Sequence, residues 1–96
     1  MDKNKLKILV VDDEKSFRKV LIKILNNHPY VIDEAKNYNQ AIRLIKKNSY
    51  DLVLTDLVMK DKDGLNLLKD IKKYDEYIEV IVVTGYGSIE TAVEAM

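Results

Sequence analysis

Four short apolar runs, dense in valine, isoleucine and leucine and each too brief for a stable helix, recur along this chain. They cover residues 6–11, broken only by Lys7; residues 30–35, where Val31 and Ile32 give way to Asp33 and Glu34; residues 52–55, which deliver Asp56; and residues 79–83. Short continuous runs of this kind mark strands buried on both faces of a parallel sheet. Between them the period changes. Phe17, Val20, Leu21, Ile24 and Leu25 fall at spacings of three and four, as do Ala41, Ile42, Leu44 and Ile45, then Leu65, Leu67, Leu68 and Ile71. That spacing gathers apolar side chains on one face of a helix. Strand and helix alternate at about 25–30 residues per unit, which predicts right-handed βαβ crossovers and an open parallel sheet with helices on both faces.

The punctuation agrees. Asn26-Asn27-His28-Pro29 stops the first helix, because the residue before a proline is pushed out of the helical region. The polarity of residues 30–35 predicts a sheet edge. Asn48-Ser49 closes the second helix, and Ser88 is placed to cap a fourth that carries Ile89, Ala92, Val93 and Met96 on one stripe. With 96 residues the chain is expected to be one domain, burying about 60–65% of the surface its unfolded form exposes.

Composition excludes several functions. Sixteen Lys and Arg balance sixteen Asp and Glu, without the basic excess of an autonomous nucleic-acid binder, so no direct nucleic-acid contact is expected. No apolar run approaches the roughly 18 residues of a membrane span. The basic start, MDKNKLKILVV, leads into too short an apolar stretch for a signal peptide, and the expected location is the cytoplasm. There is no cysteine, which removes disulfide, zinc–thiolate and thiol-nucleophile chemistry.

In an open parallel sheet, ligands gather outside the carboxyl ends of the strands. If the first, third and fourth strands are neighbours, their ends bring Asp12, Asp13, Asp56 and Thr84 around one pocket. Carboxylates so close repel and raise each other's pKa unless a cation sits among them. Magnesium suits such a set, since it takes hard oxygen ligands, is held by one or two carboxylates and leaves positions for phosphate oxygens. A carboxylate beside it can act as nucleophile toward a phosphoryl group. The Thr84 hydroxyl and the Gly85 amide would then be donors to that group. Plainer readings exist for each part: Asp12-Asp13-Glu14 as a helix-start signal, Asp56 as a turn residue, Thr84 as a strand former. The combination is what singles out the site.

Residues 8–14, ILVVDDE, residues 51–59, DLVLTDLVM, then Asp63-Gly64-Leu65 and Val82-Val83-Thr84-Gly85 together resemble the receiver (CheY-like) domain of two-component response regulators. The likeness runs over essentially the whole chain. It implies a flavodoxin-like fold with about four of the usual five βα units. It implies Asp56 as acceptor of a phosphoryl group from a histidine kinase. Asp13 would hold Mg2+ directly, Asp12 largely through water, and Val58 through its backbone carbonyl. Thr84 matches the switch hydroxyl, with Tyr86 at a variable position that influences dephosphorylation and partner access. The tail from Thr84 to Met96 is similar to receivers of the nitrogen-regulation type, which stand ahead of an ATPase output domain in transcription control.

Two departures stand out. Met59-Lys60 replaces the frequent Met-Pro, and the family's fifth strand, the lysine beyond it, its switch aromatic and its last helix have no counterpart in the 96 residues. The expectation is a receiver domain, residues 1–96, incomplete at its C-terminal side, with residues 80–83 as an open edge and an uncovered sheet face beside the first helix. Such a chain should self-associate through the fourth strand or fourth helix. Lys60 or Lys62 could stand in for the missing lysine, although a solvated loop role is the plainer reading, as it is for His28. Two other classes compete. One is a receiver-like docking or dimerisation module that is never phosphorylated. The other is a phosphohydrolase of the haloacid-dehalogenase kind, whose Asp-x-Asp after the first strand is not matched by Asp12-Asp13-Glu14.

Overall fold

The computed structural model describes residues 5–59 and 63–83. Seven elements follow in strict alternation: β1 (Lys7–Val11), α1 (Lys15–Leu25), β2 (Val31–Ala35), α2 (Tyr38–Lys47), β3 (Leu52–Asp56), α3 (Gly64–Tyr74) and β4 (Glu79–Val83). The strands form one sheet in the order β2-β1-β3-β4, every pair parallel. β2 is at one edge, as its polar residues require, and among the described residues β4 pairs only with β3. The central positions fall to β1 and β3, whose ends carry the acids. The expected fourth helix and its Ser88 cap lie outside the described residues.

Alternation along the strands divides the core in two. Leu9, Val11 and Val53 point to one face and pack with Ala41 and Ile45 of α2 and Leu67 and Ile71 of α3. Ile8, Val10 and Leu54 point to the other and meet Leu21, Ile22 and Leu25 of α1. The helices therefore cover both faces, as predicted. Each fully buried Leu, Ile or Val contributes about 1.5–3 kcal/mol over its exposed state. Two tyrosine hydroxyls find carboxylate partners. The Tyr50 hydroxyl donates to Asp33 Oδ2 at 2.7 Å, and the Tyr38 hydroxyl of α2 donates to Asp70 of α3.

Each helix begins on a side-chain cap. Glu14 Oε1 accepts from the Ser16 amide at 3.3 Å and from its hydroxyl at 2.6 Å. Asn37 Oδ1 accepts from the Gln40 amide at 2.8 Å while Gln40 Oε1 accepts from the Lys36 amide at 2.7 Å, a reciprocal arrangement that satisfies two otherwise orphan donors. Asp63 Oδ1 accepts from the Asn66 amide at 2.9 Å.

One predicted face is displaced. The sequence puts Val20 and Ile24 on the inner stripe of α1, yet they are 51% and 57% exposed. The helix instead lays residues 18, 21, 22 and 25 on the sheet, a stripe of the same spacing turned by about one residue. It contains Leu21, Ile22 and Leu25, and its fourth member is Arg18. Leu6, expected to open β1, is 43% exposed and precedes the strand. Ile81 of β4, in register with Leu54, is 48% exposed on the α1 side of the sheet.

Candidate functional site

β1 and β3 run side by side with Val11 in register with Thr55, so the next residue of each chain, Asp12 and Asp56, meets at the carboxyl edge of the sheet. Asp13 follows. One oxygen from each of Asp12, Asp13 and Asp56 lies within 4.8 Å of the other two.

Asp12 is wholly buried and held from three directions. Its amide donates to Ala35 O of β2 at 3.1 Å. Its carbonyl accepts from Arg18 Nη1 at 2.7 Å. Its Oδ1 accepts from the Glu14 amide at 2.8 Å. Among the described residues Oδ2 finds no hydrogen-bond partner, although it is buried. A buried charged oxygen without a partner is costly, and the carboxylate that carries it lies close to two others.

The pKa values express that strain. Burial pushes the Asp12 carboxyl up to about 6; the Glu14 amide opposes the rise, and the nearby Asp56 and Asp13 charges add to it. Asp56 is also raised, again chiefly by burial, while the amides of Leu57 and Val58 lower it and Asp13 raises it. Mutual repulsion, the cause expected from sequence, is therefore the smaller effect. A divalent cation offsets both, because it replaces lost water and neutralises the set. The donor set fits: three hard carboxylates, one with an unpartnered buried oxygen.

The backbone behind Asp56 is tightly fixed. The buried Thr55 hydroxyl donates to Asp56 O at 3.1 Å, and the Leu57 amide donates to Val83 O at 2.9 Å. Gly64 opens α3 against the same peptide: its amide donates to Leu57 O at 2.8 Å, and a Cβ built there would lie 2.1 Å from Asp56 O. No side chain fits. The Asp63-Gly64 pair thus sets where α3 starts relative to the acid.

Of the residues singled out from sequence, Asp12, Asp13 and Asp56 come together. Val58, two residues past Asp56, has its side chain 68% exposed at the rim and its amide directed to the Asp56 carboxylate. Thr84, Gly85, Tyr86, Lys60 and Lys62 lie outside the described residues; Val83 is in register with Asp56. His28 sits in the turn after α1, stacked on Tyr30 with ring centroids 5.1 Å apart, and precedes β2 at the amino end of the sheet, opposite the carboxyl edge that carries the acids. Sequence reading missed Arg18, hidden in a stripe of apolar residues, and the steric role of Gly64. The signal for Arg18 was present at spacing 18, 21, 22 and 25.

Known proteins are similar to this chain in sequence and fold. Residues 8–96 match the response regulator receiver domain family. The transcriptional regulatory protein ZraR of Escherichia coli K12 is 38% identical over 96 residues, which is all of this chain and 22% of that protein. Sporulation initiation phosphotransferase F of Bacillus subtilis is 38% identical over 89 residues, 93% of this chain and 72% of the relative. Among solved structures, the response regulator protein TrrA of Thermotoga maritima, in complex with Mg(2+)-BeF, superimposes with a TM-score of 0.81 at 33% identity, covering 94% of this chain and 80% of that one. The chain spans about a fifth of the length of the ZraR proteins it matches.

Proposed function

The chain belongs to the response regulator receiver family, and from that premise we propose that it is a magnesium-dependent phosphoacceptor switch in which Asp56 takes a phosphoryl group from a histidine kinase. The observation that carries this is the unpartnered, buried Oδ2 of Asp12 beside Asp56 and Asp13. Receiver domains bind Mg2+ at an acidic pocket of this kind, and Asp12, Asp13, the Asp56 carboxylate and the Val58 carbonyl are the groups that would hold it here. When bound, the ion supplies positive charge that screens the entering phosphoryl oxygens from the acids.

Asp56 performs the transfer. Its carboxylate oxygen attacks phosphorus, the P–N bond of the phosphohistidine breaks, and the bonding pair leaves with the imidazole, giving an aspartyl phosphate. The Leu57 and Val58 amides hold the carboxylate ionised and aimed. Thr84 and Gly85 are proposed as donors to the phosphoryl oxygens, the first as the switch. The catalysis is confined to the domain's own phosphorylation and dephosphorylation, and the haloacid-dehalogenase reading is set aside with the family assignment. The relatives named as transcriptional regulators support an output in transcription control, from the cytoplasm.

A small-molecule phosphodonor with intact-mass detection tests the acceptor. One phosphoryl adduct is expected in the wild type with Mg2+ and none in Asp56→Asn; no adduct, or one that survives the substitution, overturns the assignment. A second element of the reading is self-association through β4 or the fourth helix, supported by exposed Val20, Ile24 and Ile81. A scattering mass that stays monomeric at every concentration removes that element and leaves the switch untouched.

A further inference from the structure

Three members of the inner stripe of α1 are apolar and pack on Ile8, Val10 and Leu54. The fourth, Arg18, places a guanidinium whose side chain is only 11% exposed. Burying that charge requires partners. Nε donates to Glu34 Oε1 of β2 at 2.7 Å, and Lys19 Nζ holds the other Glu34 oxygen at 3.0 Å. An ion pair with Glu34 would satisfy the charge. The second arm does something else: Nη1 reaches the neutral carbonyl of Asp12 at 2.7 Å.

That carbonyl belongs to the peptide plane joining Asp12 to Asp13. Because the plane is rigid, fixing its oxygen also fixes the direction in which the chain leaves toward Asp13. With the Asp12 amide tied to Ala35 and Oδ1 tied to Glu14, the arginine supplies the remaining restraint. We propose that Arg18 is a positioning residue for the cation site: anchored by Glu34, it locks the Asp12–Asp13 peptide so that Asp12 Oδ2 and the Asp13 carboxylate face Asp56 before any ion arrives. The inference rests on the site reading given above.

Positioning and simple electrostatics predict opposite signs. A guanidinium near a cation site repels the ion, so deleting its charge alone tightens binding. Loss of an outer-shell partner that orients a ligand typically weakens metal affinity 10–100-fold. The test is titration of the full chain with Mg2+ alone, followed by the amide resonances of Asp13 and Glu14, beside a thermal unfolding midpoint measured in chelator. Arg18→Met keeps the apolar stem and is expected to bind Mg2+ about 10-fold more weakly. Arg18→Lys keeps the charge and one donor and is expected to recover part of that loss, since lysine cannot bridge carbonyl and carboxylate as the planar fork does.

Unchanged or tighter Mg2+ binding in folded Arg18→Met overturns the proposal, even if its midpoint falls, because that pattern is a structural ion pair and no more. Should Arg18→Met not fold, neutral Arg18→Gln is judged by the same two outcomes. A wild-type chain that binds no Mg2+ overturns the site reading and this proposal with it. Wild-type binding with equal affinity in the variant overturns this proposal alone.

Discussion

Asp12 keeps one carboxylate oxygen on the Glu14 amide and, among the described residues, the other on nothing, inside a spot that water does not reach. Its carboxyl is raised from 3.8 to about 6, so at neutral pH the ionised form opposes folding, and stability contributed by this group rises as pH falls through 6. Replacing it with Asn removes that cost. Asp12→Asn is expected to gain about 2 kcal/mol of unfolding free energy at pH 7 in chelator and to lose the added stability that Mg2+ gives the wild type. Urea denaturation with and without Mg2+ reads both; a destabilised variant in chelator contradicts the burial argument. Gly64 behaves in the opposite sense. Among the described residues no glycine has a positive φ, so the need for Gly64 is a close approach and not a special turn conformation. Gly64→Ala forces backbone apart at Asp56 O and is expected to cost about 1–3 kcal/mol, with slower phosphorylation of Asp56. A variant of wild-type stability and rate would show that the loop yields freely. From sequence, Asp63-Gly64 was legible as a turn; its contact with Asp56, eight positions earlier, was not, because sequence patterns report local geometry only.

At the scale of elements, α1 is where reading and structure part. Two stripes of equal spacing overlap on it, one with Val20 and Ile24 and one with Ile22 and Arg18, and hydrophobicity favours the first. The sheet selects the second, because Glu34 of β2 offers Arg18 and Lys19 a paired anion at that edge. Leu21→Ala is therefore expected to cost about 2 kcal/mol, while Ile24→Ser stays within about 0.5 kcal/mol; chemical denaturation of the two separates the stripes. The same anchor carries a pH signature. Arg18 first, then Lys19, hold Glu34 below the ordinary glutamate value of 4.5. Its contribution is present above that value and is lost as pH falls through the lower folded value. Glu34→Gln should therefore be less stable than wild type at neutral pH and converge with it as pH falls below the ordinary glutamate value, which flattens the acid limb of the stability curve. An acid limb identical to wild type would mean that the pair contributes nothing, as many part-exposed pairs do. The strands were legible almost to the residue because short β-branched runs bounded by acids and turns admit few alternatives.

For the whole molecule, the order β2-β1-β3-β4 converts a list of separated residues into a site. Asp12 and Asp56 are 44 positions apart in the numbering, and only adjacency of β1 and β3 brings them together. From sequence that adjacency is a condition, and the acids at strand ends mark its edge; with β1 beside β3, the meeting of Asp12, Asp13 and Asp56 was readable in advance. The restraints behind it were not, since Arg18, Ala35 and Gly64 all act on or through backbone atoms, and a residue pattern does not say which backbone atom a side chain will meet. Ligand binding to the folded state alone raises the unfolding midpoint by mass action. Mg2+ is thus expected to raise the midpoint of the wild type progressively with concentration and to leave that of Asp56→Asn less affected, as thermal scans at several Mg2+ concentrations will read. A wild-type midpoint indifferent to Mg2+ rejects the site.

Where α3 begins, there is no room for a methyl group between its first residue and the carbonyl of Asp56. Parts that touch without clearance have no backlash. The Gly64 amide, bonded to Leu57 O in the next peptide, ties the start of α3 to the same stretch of backbone that carries the acid. The absence of a side chain at Gly64 is what lets this joint be made of two backbones, stiffer than any pair of side chains could be.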